Sequence, residues 1–317
     1  MTAMEGSTPP PPLSPGGGGT PGGQTGGFKS HAAMLAAIFS FASGLIVSKS
    51  LVLKVSPGEI LIGQLVIGAL LLWGYLLYRP GRPRFGGVFW RMALMGISAP
   101  GLVNILNILG MQHTSAVNMV ILWALMPVLT QFAGRLFLGE ALRLSQIVGC
   151  IVAFSGVMLI LGTRHGEAGS LLGDALIFGA VLSSIATQLL GRRVNQRADN
   201  LCVAAVQVTA AVGLSVAVYP WLSDGPPLDG WSASALVELA YLGLFSTFML
   251  FLFYNIALRQ LPVGRVGLLM TMVPAFGTVG ASAYLGERVG PTDLIGLAVV
   301  MIGVALPFST GLFKGRR

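Results

Sequence analysis

Two glutamates stand in matching settings 147 residues apart. Glu140 lies in "LFLGEALRLSQIVG" (Leu136 to Gly149) and Glu287 in "AYLGERVGPTDLIG" (Ala283 to Gly296), each directly after Leu-Gly. A carboxylate in such apolar surroundings can bind a proton or gate a pathway. It can also sit at a helix end, where unpaired backbone N–H groups attract negative charge. The local pattern fits the second role: Gly139 and Gly286 end one helix as C-caps, and each glutamate lies just ahead of the following helix. Both roles remain open on the sequence.

A second group is polar but uncharged. Asn104 and Asn107 are three residues apart, so they share a helix face. Gln64, Gln207, Ser184 and Thr187 lie at similar depth in other apolar runs, together with Trp123, Tyr254 and Thr271. Amides donate and accept without a desolvated charge, and an indole ring adds apolar area and affinity for cations. Together these nine residues form a candidate substrate pathway for a neutral or cationic small molecule. Taken singly, each reads first as an interhelical hydrogen bond worth about 0.6 kcal/mol, and the cluster counts for more than any member.

Other chemistry lacks its residues. His31, His113 and His165 fall near the ends of apolar runs or between them, and no H-E-x-x-H or G-x-S-x-G pattern occurs. Cys150 and Cys202 have no metal-ligand spacing. No metal site, cofactor or enzymatic activity is expected.

The elements that must position these residues follow from composition. Of 317 residues, 54% are hydrophobic and 9% charged, against about 25% charged in soluble domains. The net charge of +8 does not mark a nucleic-acid binder, because Arg and Lys punctuate apolar runs instead of massing on one face. The lipid bilayer is the expected partner. Residues 1–30 differ: "PPPPLSPGGGGTPGGQTGG" reads as a disordered Pro/Gly-rich tail.

A membrane-spanning helix needs about 20 apolar residues, and ten such runs follow the tail. They are Ala32–Leu53, Glu59–Tyr78, Phe89–Met111, Ser115–Leu138, Leu144–Leu161, Leu171–Leu190, Leu201–Leu222, Ala233–Leu258, Val263–Leu285 and Thr292–Phe308. Ten spans put both termini on one side. Calling that side cytoplasmic gives it 15 of the 19 Lys and Arg residues, the excess expected of cytoplasmic loops. The fold class is therefore an all-α membrane protein.

The two glutamate motifs belong to a larger repeat. At the same offset, Leu122, Pro127, Leu138, Gly139, Glu140, Gly149, Gly156 and Val157 match Leu269, Pro274, Leu285, Gly286, Glu287, Gly296, Gly303 and Val304. A five-span unit repeated once enters the membrane from opposite sides, so the expectation is two inverted five-helix repeats, 31–165 and 166–311, with a basic C-terminus at 312–317. Pro127 and Pro274 fall near mid-span, where proline bends a helix. The paired placement suggests bends that shape a central cavity.

Ten spans in two repeats, each with Pro127-like and Leu-Gly-Glu-like elements followed by paired glycines, resemble the drug/metabolite transporter superfamily and its EamA-type domain over about residues 32–310. The resemblance implies a secondary, non-ATP transporter of a small metabolite or drug-like solute. It also implies alternating access between the repeats. Family members carry amino acids, other metabolites, drugs and sugar derivatives. Many have an arginine in the second span where this chain has Gln64, so that contact does not carry over. The alternatives are a membrane-embedded enzyme and a non-transporting membrane scaffold. A bacterial plasma membrane, with cytoplasmic termini, is the expected location.

Topology is testable directly. In a background lacking Cys150 and Cys202, single cysteines at Gly81 and Gly225 are expected to label from opposite sides, the first from the cytoplasm. Labelling of both from one side overturns the inverted repeat.

Overall fold

Inside hydrocarbon a helix satisfies its own backbone, whereas an open sheet edge cannot. The regular structure among the described residues is accordingly helical. The computed structural model describes residues 25–51, 54–81, 83–111, 113–114, 122–123, 125–141, 144–161, 170–222, 231–273, 276, 283 and 290–313. Within these, α1 spans Thr25–Leu51 and α2 spans Pro57–Tyr78. A third pass consists of α3 (Phe89–Gly96), a π-helical stretch Ile97–Leu102 and α4 (Val103–Met111). Next come α5 (Met126–Leu138), α6 (Leu144–Leu161), α7 (Leu171–Val194) and α8 (Asn200–Leu222). A further pass runs continuously through α9 (Ala233–Tyr241), a π-helical stretch Leu242–Met249 and α10 (Leu250–Gln260). The chain closes with α11 (Val263–Met270) and α12 (Pro291–Phe313).

Short polar signals start and stop these helices. Ser56, Ser170 and Ser232 cap α2, α7 and α9 by accepting from the N–H three residues on. Gly139 ends α5 in the left-handed region at φ 67°, where a glycine carries no steric cost. The expected C-cap is present there.

The passes run back and forth between two ends of the bundle. Ser30 bonds Gln260 at one end of α1, and Lys54, just past the other end, pairs with Glu238. Arg79 pairs with Asp199 at the Ser30 end. The loops and helix termini at that end also carry Lys29, Arg84, Arg91, Arg135, Arg192, Arg193, Arg197, Arg259 and Arg265.

Large apolar side chains face outward along the helices, including Leu70 (68% exposed), Leu77 (80%) and Leu171 (85%). Water does not tolerate so much apolar surface around a whole molecule. Among the described residues six helices are long and apolar enough to cross a membrane, and Leu144–Gly156 and Leu294–Leu306 are shorter apolar stretches. The solvent of this surface is lipid.

The repeated glycines find their reason in one helix pair. A Cβ on Gly156 would fall 2.7 Å from the Gly296 carbonyl oxygen, and one on Gly303 would fall 2.6 Å from that of Gly149. The pairings 156 with 296 and 149 with 303 mean that α6 and α12 pack antiparallel with their backbones in close approach, as small residues allow in membranes.

Two boundaries differ from the sequence reading. Residues 25–30 of the expected tail are helical, because α1 begins at Thr25, and α12 continues to Phe313, into the expected basic terminus. In both places the helix propagates past the apolar run, since each added residue gains one backbone bond. Residues 1–24 and 314–317 lie outside the described residues, as do Pro274, Gly286 and Glu287.

Gly156→Leu should cost at least the 1–3 kcal/mol typical of overpacking, read as a loss of thermal stability. Gly74→Ala in α2, where a Cβ meets nothing within 4 Å, should instead stabilise by about 0.5–1 kcal/mol.

Candidate functional site

The third pass is broken at its middle. Pro100 lies inside the π-helical stretch, and the residue before it, Ala99, is extended at φ −143°, ψ 128°. Proline has no N–H to give and disfavours helical geometry in the preceding residue. The break therefore releases backbone carbonyls in a region where an unsatisfied one costs several kcal/mol.

A chain of buried amides repairs it. Gln207 Nε2 on α8 donates to the Ala99 carbonyl at 2.9 Å. Gln207 Oε1 accepts from Asn255 Nδ2 at 3.0 Å, and Asn255 Oδ1 accepts from Asn195 Nδ2 at 2.8 Å. None of these three amides is more than 1% exposed. Beside them Ser98 and Ser183 exchange hydrogen bonds, each hydroxyl donating to the other's carbonyl at 2.9 and 3.0 Å. The half of the third pass nearer Arg79 is thus stitched to α7 and α8.

On the other side of the break a space remains. A cavity of about 220 Å³ lies between the broken third pass and the π-helical pass, walled by Pro100 and Asn104 from the first and Ser246, Thr247, Leu250 and Phe251 from the second. Phe41, Gly44 and Ser48 of α1 and Gln64 and Leu65 of α2 complete the wall. Among the described residues no ionisable side chain belongs to it. The Ser246 hydroxyl is buried and unpartnered among the described residues.

Of the nine pathway residues expected from the sequence, the structure brings Gln64 and Asn104 to this cavity. The others lie elsewhere. Trp123 Nε1 donates to Asn107 Oδ1 at 3.1 Å, so the two expected contacts satisfy each other away from the wall. Gln207 holds the helix break, and Thr187 makes a long 3.5 Å contact with the Met95 carbonyl of α3. Ser184 is half-buried beside Ser183, the residue that bonds across. Tyr254 sits in an apolar cluster with Met34, Ile38 and Leu258. Thr271 donates back to the Leu268 carbonyl at the end of α11.

Pro127 does not bend a continuous helix. It occupies the first turn of α5, where its missing N–H is no loss. The break lies just before it, in the turn where Leu125 N–H bonds the Leu122 carbonyl. The same three-residue turn recurs at the repeat offset, where Met272 N–H bonds the Leu269 carbonyl just ahead of Pro274.

Glu140 also departs from expectation. Its carboxylate does not serve the helix that follows it, α6. It accepts from Val263 N–H at 3.0 Å and Gly264 N–H at 3.4 Å, capping α11 in the other half of the chain. Pro262 precedes those two amides and contributes no donor or capping side chain, so the helix start needs an external acceptor. Arg192 stands 4.0 Å from the same carboxylate and donates to the Leu258 and Arg259 carbonyls at the end of α10. Glu140 is a cap, and it bridges the halves. The amide chain through Asn195 and Asn255, the Pro100 break, and the cavity residues Phe41, Ser48, Ser246 and Thr247 escaped the sequence reading. The proline in "ISAPGL" was the available signal.

A bundle of lipid-facing apolar helices, one of them broken beside a polar cavity, defines an integral membrane protein of the solute-carrying kind. The chain belongs to the EamA-like transporter family, whose sequence profile matches residues 29–162 and again 171–309. It is 31% identical over 203 residues to the uncharacterized transporter YdeK of Bacillus subtilis (strain 168), covering 62% of this chain and 68% of that protein. It is 29% identical over 273 residues to the threonine/homoserine exporter RhtA of Escherichia coli (strain K12), covering 84% and 87%. A probable terminal-alkyne amino-acid exporter of Streptantibioticus cattleyicolor (strain ATCC 35852 / DSM 46488 / JCM 4925 / NBRC 14057 / NRRL 8057) is 26% identical over 215 residues, covering 68% and 71%. One solved crystal structure superposes with a TM-score of 0.77 at 17% identity, covering 88% of this chain and 96% of that one, which is a likeness of fold.

Glu140→Gln keeps the shape and removes the charge from the α11 cap. A loss of about 0.3–1 kcal/mol in thermal stability is expected, with transport reduced modestly. Abolished transport at unchanged stability would restore the proton-site role.

Proposed function

We propose that the protein is a secondary transporter that exports a small neutral or zwitterionic metabolite of about amino-acid size. It works by alternating access between two inverted five-helix repeats in a bacterial plasma membrane, with ten membrane passes and both termini cytoplasmic. The observation that carries this reading is the cavity between the Pro100 helix break and the π-helical stretch Leu242–Met249. Discontinuous helices meeting at mid-membrane between repeats are a feature of secondary transporters, and such sites hold substrate near the bilayer midplane.

Size and chemistry narrow the substrate. A volume of about 220 Å³ lies below the roughly 300–1,000 Å³ of drug-sized sites. Amides and hydroxyls from Gln64, Asn104, Ser48 and Thr247 offer donors and acceptors of both kinds, and Phe41 and Phe251 supply apolar contact. Among the described residues no side chain of the wall provides the charge that would hold a bare anion. Relatives named as amino-acid exporters fit this description and support the outward direction. The antiparallel α6 and α12 pair and the recurrence of turns at one offset support the inverted arrangement.

The test is counterflow into proteoliposomes with a panel of small amino acids and their neutral analogues. A member that exchanges should lose roughly two- to twelve-fold in apparent affinity on Asn104→Ala or Gln64→Ala, the effect of about 0.5–1.5 kcal/mol for one hydrogen bond. The lipid-facing control Leu70→Ala should bind as the parent does. Wild-type affinity in both cavity variants would move the site elsewhere.

A further inference from the structure

The two halves contribute unequally to the cavity wall. At the offset of 147 residues Pro100 and Asn104 fall on Thr247 and Phe251, and all four line the cavity. The two central passes thus present matching positions to it. The α1 wall is different: Phe41, Gly44 and Ser48 fall on Gln188, Gly191 and Asn195 of α7, and those three are not part of the wall. The packing follows the same correspondence. α1 lies along α10 and α7 lies along α4, and the offset carries Val103–Met111 of α4 onto residues 250–258 of α10.

Gln188 stands apart among the buried amides. Gln131, Asn195, Asn255 and Gln207 each donate at least one side-chain hydrogen bond. Gln188 is 0% exposed, and its amide oxygen and nitrogen both lack partners among the described residues. Asn195 Oδ1 is unpartnered as well, although Nδ2 donates to the Gly191 carbonyl and to Asn255. Residues 188, 191 and 195, three and four apart, share one face of α7. A Cβ on Gly191 would fall 2.9 Å from Leu258 Cδ1 of α10 and 3.0 Å from Met95 Cε of α3. That face is packed between the two central passes, whereas the matching face of α1 meets open space. A buried amide without a partner costs free energy, which a second state with water or solute against it would recover.

We propose that Gln188, Gly191 and Asn195 line the other half of the solute route, which opens toward the Arg79 end when the present cavity closes. Pro100, Asn104, Thr247 and Phe251 serve both halves, while the flanking wall passes from α1 to α7. The two walls are not equivalent. Where α1 offers the Phe41 ring, α7 offers the Gln188 amide, so a small neutral or zwitterionic solute finds an extra donor and acceptor on the Arg79 side. Gln188 is the residue that makes the two sides differ in affinity. In the state seen here Arg192, one turn beyond Gln188, holds this half shut by donating to the Leu258 and Arg259 carbonyls at the end of α10.

This inference rests on the alternating-access reading, but its test uses no transported solute. In sealed vesicles of known orientation, protein lacking Cys150 and Cys202 carries Ser48→Cys or Gln188→Cys, and a membrane-impermeant methanethiosulfonate is applied from one side at a time. Position 48 should label from one side only and position 188 only from the opposite, Arg79 side, with 188 slower by several-fold. Adding Arg192→Ala should raise the rate at 188 and lower it at 48, each several-fold, whereas simple loosening of the fold would raise both. Should Gln188→Cys fail to fold, Gly191→Cys on the same face takes its place. Absence of labelling at the α7 position from either side, labelling of both positions from one side, or a rise at both with Arg192→Ala overturns the proposal. Counterflow that persists beside any of these results strikes this inference alone and leaves the transport reading standing.

Discussion

A carbonyl released inside a bilayer has to find a donor, and everything distinctive in this protein is arranged around one such carbonyl. Pro100 and the extended Ala99 interrupt the third pass. Without Gln207 the interruption would leave a buried, unpaired acceptor in a medium that offers no water. The amide chain from Asn195 through Asn255 to Gln207 is four helices' worth of packing committed to that single satisfaction. Once the break is secured on one side, the backbone on its other side can bound a cavity without being a liability.

The same constraint explains why the polar groups are amides and hydroxyls. An amide presents a donor and an acceptor at once, so a row of them passes hydrogen bonds from helix to helix with no net charge to desolvate. Carboxylates and guanidinium groups stay at the two ends of the bundle, where Glu140 with Arg192 and Glu238 with Lys54 tie helix termini together. Charge at the ends and dipoles in the middle is the distribution a low-dielectric slab imposes.

Period and composition made the helices legible, and the offset of 147 residues made the repeat legible, because both are patterns along one chain. The cavity was only partly so. Gln64 and Asn104 stood out as polar residues in apolar runs and do line it, but Asn107 and Trp123 looked equally exposed to a solute and turn out to bond each other. Sequence distance cannot say whether two polar side chains meet across a helix interface. Glu140 shows the same gap at larger scale: its role as a helix cap was readable from Leu-Gly-Glu, while the helix it caps lies 123 residues further along. Ser246 and Thr247 gave no signal, since hydroxyl residues in membrane helices ordinarily bond their own backbone.

The glycines of α6 and α12 carry a consequence for motion. The contact of Gly156 with Gly296 becomes that of Gly303 with Gly149 when each residue is replaced by its partner in the other half. An interface that is its own image looks the same from either half. If the halves trade conformations, this pair of helices has nothing to trade: it can remain as it is, a fixed axle for the rest.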